Sequence, residues 1–181
     1  MQETVKLSSH GSARPFEDPD AFGALFEEHA PDIYAFCFRR TVDGRASEDL
    51  AQAVFLEAWR KRNEVDLAPE EVRPWLFGVA LNVLRNHRRS LRRHRAALAR
   101  LPRPRPDSDL GEDLVERLAD EQRAREALAC FRALSRHEQD VVALCAWAEL
   151  TYDQTAQVLG LPVGTVRSRL ARAREKVKGV S

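Results

Sequence analysis

The chain has 181 residues, 44% of them hydrophobic, which is enough for one domain or two small ones with a packed core. Its 29 basic and 28 acidic residues nearly cancel, so only the distribution of charge along the chain can indicate a partner. Three widely spaced cysteines without a CxxC pair exclude a disulfide framework. A signal peptide and a membrane span are excluded because no apolar run is long enough. We therefore expect a cytoplasmic protein with no membrane insertion.

Helical periodicity begins at Asp20, after a polar stretch, residues 1–18, that predicts a disordered lead. Asp20 can cap a first helix, and Pro31 either kinks this helix or begins a second one. Ser47 is predicted to cap the next helix, which runs through Arg60. A polar connection follows this helix.

A further helix is predicted from about Trp75, and it leads into a tract rich in arginine. Between Arg85 and Arg105 there are nine arginines and no acid. Such a tract either lines up on the phosphates of a nucleic acid or forms a disordered basic tail. Because the helical pattern continues as far as Arg93, we favour nucleic-acid binding for that part of the tract.

Residues 98–113 interrupt the helical pattern with three prolines and a glycine. They predict a flexible Pro-rich linker between two small helical domains, residues 19–97 and 114–178. An acidic stretch, Pro106 to Glu121, directly follows the arginine tract. It is either a solvated linker or a segment that folds back on the basic surfaces and masks them.

The second domain is predicted to contain a helix-turn-helix. A helix from Leu114 to Ala133 comes first. Two capping boxes then start successive helices, Ser135 with Glu138 and Thr151 with Gln154. The first of these helices ends near Trp147, and the second is closed by Gly160, after which Pro162 can begin a final basic helix. No alternating, strand-like pattern occurs, so the predicted fold class is all-α.

The final helix has separate faces at 100° per residue. Its apolar stripe consists of Val163, Val166, Leu170, Ala173 and Val177. An outward face carries Thr165, Ser168, Arg169, Arg172 and Lys176, and a third side carries Arg167 and Arg174. Small residues at the leading end let such a helix approach base edges in a major groove, with arginines reaching guanines or phosphates. A solvated basic face is less consistent, because only Glu175 offsets six basic residues between Val163 and Lys178.

The helix from Ser47 carries an apolar pair away from its core stripe. Leu56 and Trp59 lie beside the polar residues Asp49, Gln52 and Arg60. An apolar pair with a polar rim is typical of a protein interface, although a neighbouring helix could equally bury both residues.

The sequence contains no pattern typical of a catalytic, phosphate-binding or metal site. We therefore predict that the protein is not an enzyme and needs no cofactor or metal. Cys37, Cys130, Cys145 and His137 lie on apolar helices, and we expect all four to be core residues.

Three segments resemble, in this order, the characteristic blocks of extracytoplasmic-function (ECF) sigma factors of bacterial RNA polymerase. They are SEDLAQAVFLEAWR, RPWLFGVALNVLRNHRR and LSRHEQDVVALCAWAELTYDQTAQVLGLPVGTVRSRLARAREK. The resemblance implies a domain of sigma region 2, which melts the promoter, and a domain of sigma region 4, which reads the −35 element. It further implies two partners, promoter DNA and core RNA polymerase, with an anti-sigma factor as a possible third.

The resemblance also assigns roles to individual residues. Core polymerase, through the β′ clamp helices, would bind Asp49, Gln52, Leu56, Trp59 and Arg60, and the β flap is a second expected contact. The −10 element would bind Arg62, Asn63, Arg73, Asn82, Arg85, Asn86, Arg88, Arg89 and Arg92. The −35 element would bind Gly164, Thr165, Arg167, Ser168, Arg169, Arg172 and Arg174.

The sequence therefore favours a sigma factor that directs promoter-specific initiation. The alternative from the residues alone is a helix-turn-helix regulator that binds operator DNA without polymerase. A regulator of that kind has no need of the apolar pair at Leu56 and Trp59, nor of a second basic element in a separate domain.

Overall fold

The computed structural model describes residues 19–98 and 129–178. Within these two ranges every regular element is helical, which confirms the all-α fold class. Four predictions lie outside the described residues: the disordered lead, nearly all of the linker, the acidic stretch and most of the helix from Leu114.

Three helices form the first unit: α1 (Pro19–Thr41), α2 (Gly44–Lys61) and α3 (Pro69–Leu98). Helix α1 packs on both α2 and α3 through apolar side chains spaced at three and four residues. Phe36 of α1 and Phe77 of α3 meet edge to face with their ring centroids 5.0 Å apart. The apolar periodicity of the sequence thus places the core of this unit correctly.

Helix α1 continues through Pro31, so this proline lies inside the helix and does not begin a second one. Asp20 lies in the first turn of this helix and is not its N-cap, because Pro19 is already helical. A carboxylate in this turn still stabilises the positive end of the helix dipole.

The prediction that Ser47 caps α2 is wrong. The N-cap is Asp43, whose side chain accepts a hydrogen bond from the backbone N–H of Ala46 at 3.0 Å. Ser47 is fully buried one turn later, where its hydroxyl donates to the Asp43 carbonyl at 2.6 Å and lies 2.8 Å from the Thr41 hydroxyl. Both residues are good caps, and the tight turn at Val42, which has φ 59°, decides between them.

The predicted start of α3 at Trp75 is also wrong, because the helix begins at Pro69. Pro69 occupies a first-turn position, where its missing N–H costs no hydrogen bond. The Glu71 carboxylate accepts from the backbone N–H of Ala68 at 3.0 Å and supports this start. Pro74 lies inside the helix, where it removes one backbone hydrogen bond. The sequence pattern therefore places the start of the helix after this proline, which is too late.

The second unit begins with helical residues 129–133 and continues with α4 (Arg136–Val142), which passes into a π-helical turn (Ala143–Trp147). Helices α5 (Tyr152–Leu159) and α6 (Val163–Lys178) follow and form the predicted helix-turn-helix. Both predicted capping boxes are confirmed by reciprocal hydrogen bonds. Gly160 closes α5 with φ 63°, a left-handed conformation that favours glycine.

The apolar stripe of α6 is confirmed in its first three turns. Val166, Leu170 and Ala173 are buried, and Val163 is half-buried. Val177 is 39% exposed, contrary to the prediction, because the apolar clusters of the described residues reach along α6 only as far as Ala173.

The predicted core positions of the cysteines are only partly correct. Cys37 is fully buried, and this burial raises the pKa of its thiol to about 12 and keeps it protonated. Cys130 and Cys145 are half-buried. His137 is exposed, so its assignment to the core is wrong: the buried residues of α4 begin at the next position and are Glu138, Gln139, Asp140 and Val141.

The two units pack directly against each other, which the sequence did not predict. One apolar cluster contains Leu76 and Leu81 from α3 together with Leu144 and Leu150 from the second unit. Gly78 of α3 faces α5 so closely that an added Cβ would lie 3.4 Å from Cγ1 of Val158. The small residue thus lets the two helices approach.

Glu138 gives a prediction about stability. Lys176 donates to both of its carboxylate oxygens at 2.8 Å, and together with Ser135 it lowers the Glu138 pKa from 4.5 to about 2. Because folding lowers its pKa, the Glu138 carboxylate stabilises the fold at pH values above 4.5, its pKa in the unfolded chain. This stabilisation is lost as the pH falls towards the folded-state pKa of about 2.

We expect Glu138→Gln to lower the free energy of unfolding at pH 7 by roughly 1 kcal/mol, since glutamine keeps the capping box but loses the attraction to Lys176. The difference from the parent protein should shrink below about pH 4.5 and vanish near pH 2. Chemical denaturation across this range measures it, with Lys176→Gln as the matched variant. A difference that is independent of pH would contradict the assignment.

Candidate nucleic-acid interface

Helix α6 presents a basic surface to solvent. Its orientation is set by the turn at Gly160 and by the Pro162 carbonyl, which accepts from the N–H groups of Thr165 at 2.9 Å and Val166 at 3.3 Å. The exposed residues of the predicted set are Gly164, Arg167, Ser168, Arg172 and Arg174. Thr165 and Arg169 are half-buried at the edge of the same surface. The leading turn is small and neutral, as close approach to base edges requires.

Contacts within the second unit hold two of the basic side chains of α6. The Arg167 guanidinium lies 5.9 Å from the ring centroid of Tyr152, at the start of α5. Lys176 is paired with Glu138, so it contributes less free charge to the outward face than its position in the sequence suggests. Arg172 and Arg174 remain exposed.

The two members of the apolar pair on α2, Leu56 and Trp59, differ in their exposure. Leu56 is 52% exposed, beside the exposed residues Asp49, Gln52 and Arg60. Trp59 is half-buried because its ring meets that of Phe22 at 4.9 Å and the Arg62 guanidinium lies 4.0 Å above it. Leu56 therefore matches the interface alternative, whereas Trp59 is largely a packing residue.

Eight of the nine residues predicted to bind the −10 element fall into two groups. The first group is exposed on α3 or just before it: Asn63, Asn82, Asn86, Arg89 and Arg92. A groove of about 360 Å³ between α2 and α3 is lined by Leu56 and Arg60 on one side and by Asn82 and Asn86 on the other. The predicted polymerase-binding and −10-binding residues thus form one continuous surface.

The second group contacts the second unit. Arg73 donates to the Ala148 carbonyl at 2.7 Å, and Arg88 donates to the Gln139 side chain at 3.4 Å. Arg85 pairs with Asp140 at 2.8 Å. Three of the nine residues predicted to bind the −10 element are therefore engaged with the second unit. The ninth, Arg62, is held within the first unit, where it donates to the Trp59 carbonyl at 2.8 Å.

Asp140 also pairs with Arg40, a residue to which the sequence analysis assigned no function. The Arg40 side chain is only 1% exposed and meets the Asp140 carboxylate at 2.8 Å. It also donates to the Gln139 carbonyl at 3.3 Å and lies 5.6 Å from the Phe131 ring centroid. The sequence carried no local signal for this pair, because neighbouring residues of a helix lie about 100° apart and a buried Val141 does not imply a buried Asp140.

Asp140 and Arg88 remain ionised at neutral pH. Burial alone would raise the pKa of Asp140, but hydrogen bonds from Arg85 and Arg40 outweigh it and lower the pKa below its usual value. Burial and the neighbouring Arg40 lower the pKa of Arg88 to about 10, which still leaves it protonated. Asp140 is thus a single carboxylate among several positive charges.

Residues 19–98 and 129–178 offer neither a metal site nor a membrane-spanning helix. No group of three or more His, Cys, Asp or Glu side chains there could hold a metal ion. No helix in those ranges combines the length and the apolar character that crossing a membrane requires.

Comparisons with known proteins agree with this geometry. The family model of sigma-70 region 2 matches residues 25–94, and that of sigma-70 region 4 matches residues 124–177. The chain is 31% identical to the RNA polymerase sigma factor HrpL of Pseudomonas syringae pv. syringae, over 81% of this chain and 79% of HrpL. It is also 31% identical to the ECF RNA polymerase sigma factor SigL of Mycobacterium tuberculosis, over 81% of each chain.

A solved structure shares the fold. The sigma factor RpoE of Bartonella quintana, determined in complex with the anti-sigma factor NepR, superposes with a TM-score of 0.66 at 19% identity. The alignment covers 88% of this chain and 95% of RpoE. Sigma regions 2 and 4 are matched in the expected order, and two relatives above 30% identity are matched over most of their length. These matches establish the family. The chain belongs to the ECF family of RNA polymerase sigma factors.

Proposed function

We propose that this sigma factor binds core RNA polymerase through α2, binds the −10 element through α3, and binds the −35 element through α6. The observation that carries the proposal is the pair of basic helices, α3 and α6, in two units that match sigma regions 2 and 4. Sigma factors have no catalytic activity of their own, and we assign none to this chain. Transcription reconstituted from core enzyme, this protein and a candidate promoter tests the proposal.

The −35 assignment is supported by the geometry of α6. Thr165, Ser168 and Arg172 follow one another at three or four residues and so lie on one side of the helix. The helix is held from behind by the buried Val166 and Leu170, which leaves this side free to enter a major groove. Arg174 lies on a different side, where a phosphate contact is more consistent.

The −10 assignment is supported by the amide and guanidinium groups on α3. Asn82, Asn86 and Arg89 are exposed and recur at three or four residues, so they form a row along the helix. Asparagine can hydrogen-bond to unpaired bases, and arginine can pair with phosphates or stack on bases. Arg73, Arg85 and Arg88 would extend this row once they leave their contacts with the second unit.

The polymerase assignment rests on Leu56. A leucine that is 52% exposed, with charged and amide neighbours, is suited to a dry contact with a polar rim. A regulator acting without polymerase would leave this surface without a partner, which makes that alternative less consistent.

A groove between the two units supports an inhibitory protein partner similar to the one in the RpoE complex. It has a volume of about 720 Å³ and lies between α3 and α5. Trp75, Val79 and Val158 line it together with the acids Glu70 and Asp153. We assign it to an amphipathic helix with basic flanks, because the groove combines apolar surface with negative charge.

Leu56→Asp tests the polymerase-binding surface. It should weaken association with core polymerase roughly a hundredfold, about 3 kcal/mol, because it places a charge in a dry contact. Co-purification and a quantitative binding assay measure this loss. Phe38→Asp, at an exposed apolar position on α1, is the matched control and should bind core normally. A folded Leu56→Asp variant with parental affinity would remove α2 from the proposed interface.

The two kinds of basic contact on α6 can be separated with a library of −35 sequences. Arg172→Ala or Ser168→Ala should relax the preference at one base position, at a cost of roughly 1–3 kcal/mol for the preferred sequence. Arg174→Ala should weaken all sequences alike and reduce the salt dependence of binding. Holoenzyme binding to the library measures both effects. An unchanged sequence preference in the Arg172 and Ser168 variants would show that this side of α6 does not read bases.

A further inference from the structure

We propose that the contact between the two units is a self-inhibitory latch, in which Asp140 holds Arg40 and Arg85 and thereby keeps the part of the −10 surface formed by Arg73, Arg85 and Arg88 engaged with the second unit in the free protein. The inference rests on the proposed function of α3 and adds to it a means of regulation within this chain. Arg40, Arg85 and Asp140 are called the latch residues below.

The latch joins elements that are distant in the sequence. Arg40 ends α1, Arg85 lies in the middle of α3, and Asp140 lies in α4, about one hundred residues after Arg40. Each arginine meets a different oxygen of the same carboxylate at 2.8 Å, Arg40 at Oδ1 and Arg85 at Oδ2. Both carboxylate oxygens are therefore occupied, and the second unit is fixed to two helices of the first at once.

The latch covers part of the surface that would bind DNA. The Arg85 guanidinium cannot pair with Asp140 and with a phosphate through the same N–H groups. Arg88 is half-buried next to Gln139, and Arg73 is held at the Ala148 carbonyl. A strand of DNA that contacts Arg73, Arg85 and Arg88 would thus have to break these contacts with the second unit, whereas Asn82, Asn86 and Arg89 are already exposed.

The latch has a weak point that favours release. The Nε atom of Arg40 is buried and has no hydrogen-bond partner among the described residues. Arg40, Arg85 and Arg88 also converge on a single carboxylate, and this excess of positive charge opposes closure. A partner that offers negative charge, as promoter DNA does, would therefore compete effectively for the arginines of α3.

Asp140→Asn in the full-length protein is the direct test. It removes the charge that holds the latch and leaves the shape of the side chain. The matched control is Glu149→Gln, which changes the net charge equally at an exposed position of the second unit. The probe is a short fluorescein-labelled single-stranded DNA of mixed sequence, with affinity measured by anisotropy at low salt and compactness by small-angle scattering.

We expect Asp140→Asn to expand the protein and to bind the probe about tenfold more tightly than the parent or the Glu149→Gln control. Tenfold corresponds to an open fraction of about 10% in the parent, because affinity is reduced by the fraction that is competent to bind. An expanded Asp140→Asn variant that binds no better than Glu149→Gln would overturn the proposal.

A cross-link tests the latch without altering its charges, and it decides the matter if Asp140→Asn does not fold. Gly78→Cys with Val158→Cys places two thiols across the contact, where an added Cβ at Gly78 is 3.4 Å from Val158 Cγ1. The background carries Cys130→Ser and Cys145→Ser and retains the buried Cys37. We expect the disulfide to form readily, to weaken probe binding about tenfold or more, and to restore it on reduction.

Two results with the cross-linked protein would overturn the latch. One is failure of the disulfide to form under oxidising conditions, which would mean that the units do not meet in solution. The other is equal probe binding by the oxidised and reduced forms. Transcription with core polymerase is measured in parallel on the reduced protein. If the reduced protein supports no initiation, the proposed function fails; if it does, and oxidation has no effect on probe binding, only the latch fails.

Discussion

The buried ion pair between Arg40 and Asp140 is the constraint on which the arrangement of the two units depends. Neither charge can be buried alone without a large loss of stability, and removal of one partner of such a pair typically costs about 3–5 kcal/mol. Once the pair forms, the end of α1 is fixed against α4, and Arg85 of α3 is drawn to the same carboxylate. The apolar contact between Leu76, Leu81 and Leu144 then closes around it.

Charge is distributed so that a nearly neutral chain carries two strongly basic surfaces. On α6, Arg172 and Arg174 face solvent. On α3, Arg85 and Arg88 point towards the second unit while Arg89 and Arg92 remain exposed. Binding to DNA through Arg85 and Arg88 would therefore compete with contacts that these two residues already make within the protein. The affinity of the free protein for nucleic acid is therefore lower than the number of arginines on its basic helices alone would give.

The sequence predicts those parts of the fold that depend on neighbours along the chain. The capping boxes at Ser135 and Thr151, the closing Gly160 and the buried face of α6 follow from local rules, and the structure agrees with them. Where two local signals compete, as at Asp43 and Ser47, the decision depends on the geometry of the preceding turn, and the sequence prediction is wrong.

Contacts between distant residues could not be predicted in the same way. Nothing near Arg40 in the sequence indicates that its partner is Asp140, because one arginine among many has no local feature that selects a carboxylate in another unit. The exposed residues of the candidate site, such as Leu56 and Arg172, could be predicted from helical periodicity alone. That Arg73, Arg85 and Arg88 are engaged with the second unit required the structure.

Arg73 donates to the carbonyl of Ala148, at the point where the π-helical turn of the second unit ends. The first unit therefore completes the hydrogen bonding of a helix terminus that belongs to the second. This makes the units poorly interchangeable between relatives. A chimera with a foreign region 4 would keep a buried Arg40 without its carboxylate and leave Arg73 with Asp32 alone, unless the graft supplied both an acid at the position of Asp140 and a free carbonyl at that of Ala148. Promoter specificity in this lineage should accordingly change by substitutions on α6 more readily than by exchange of whole domains.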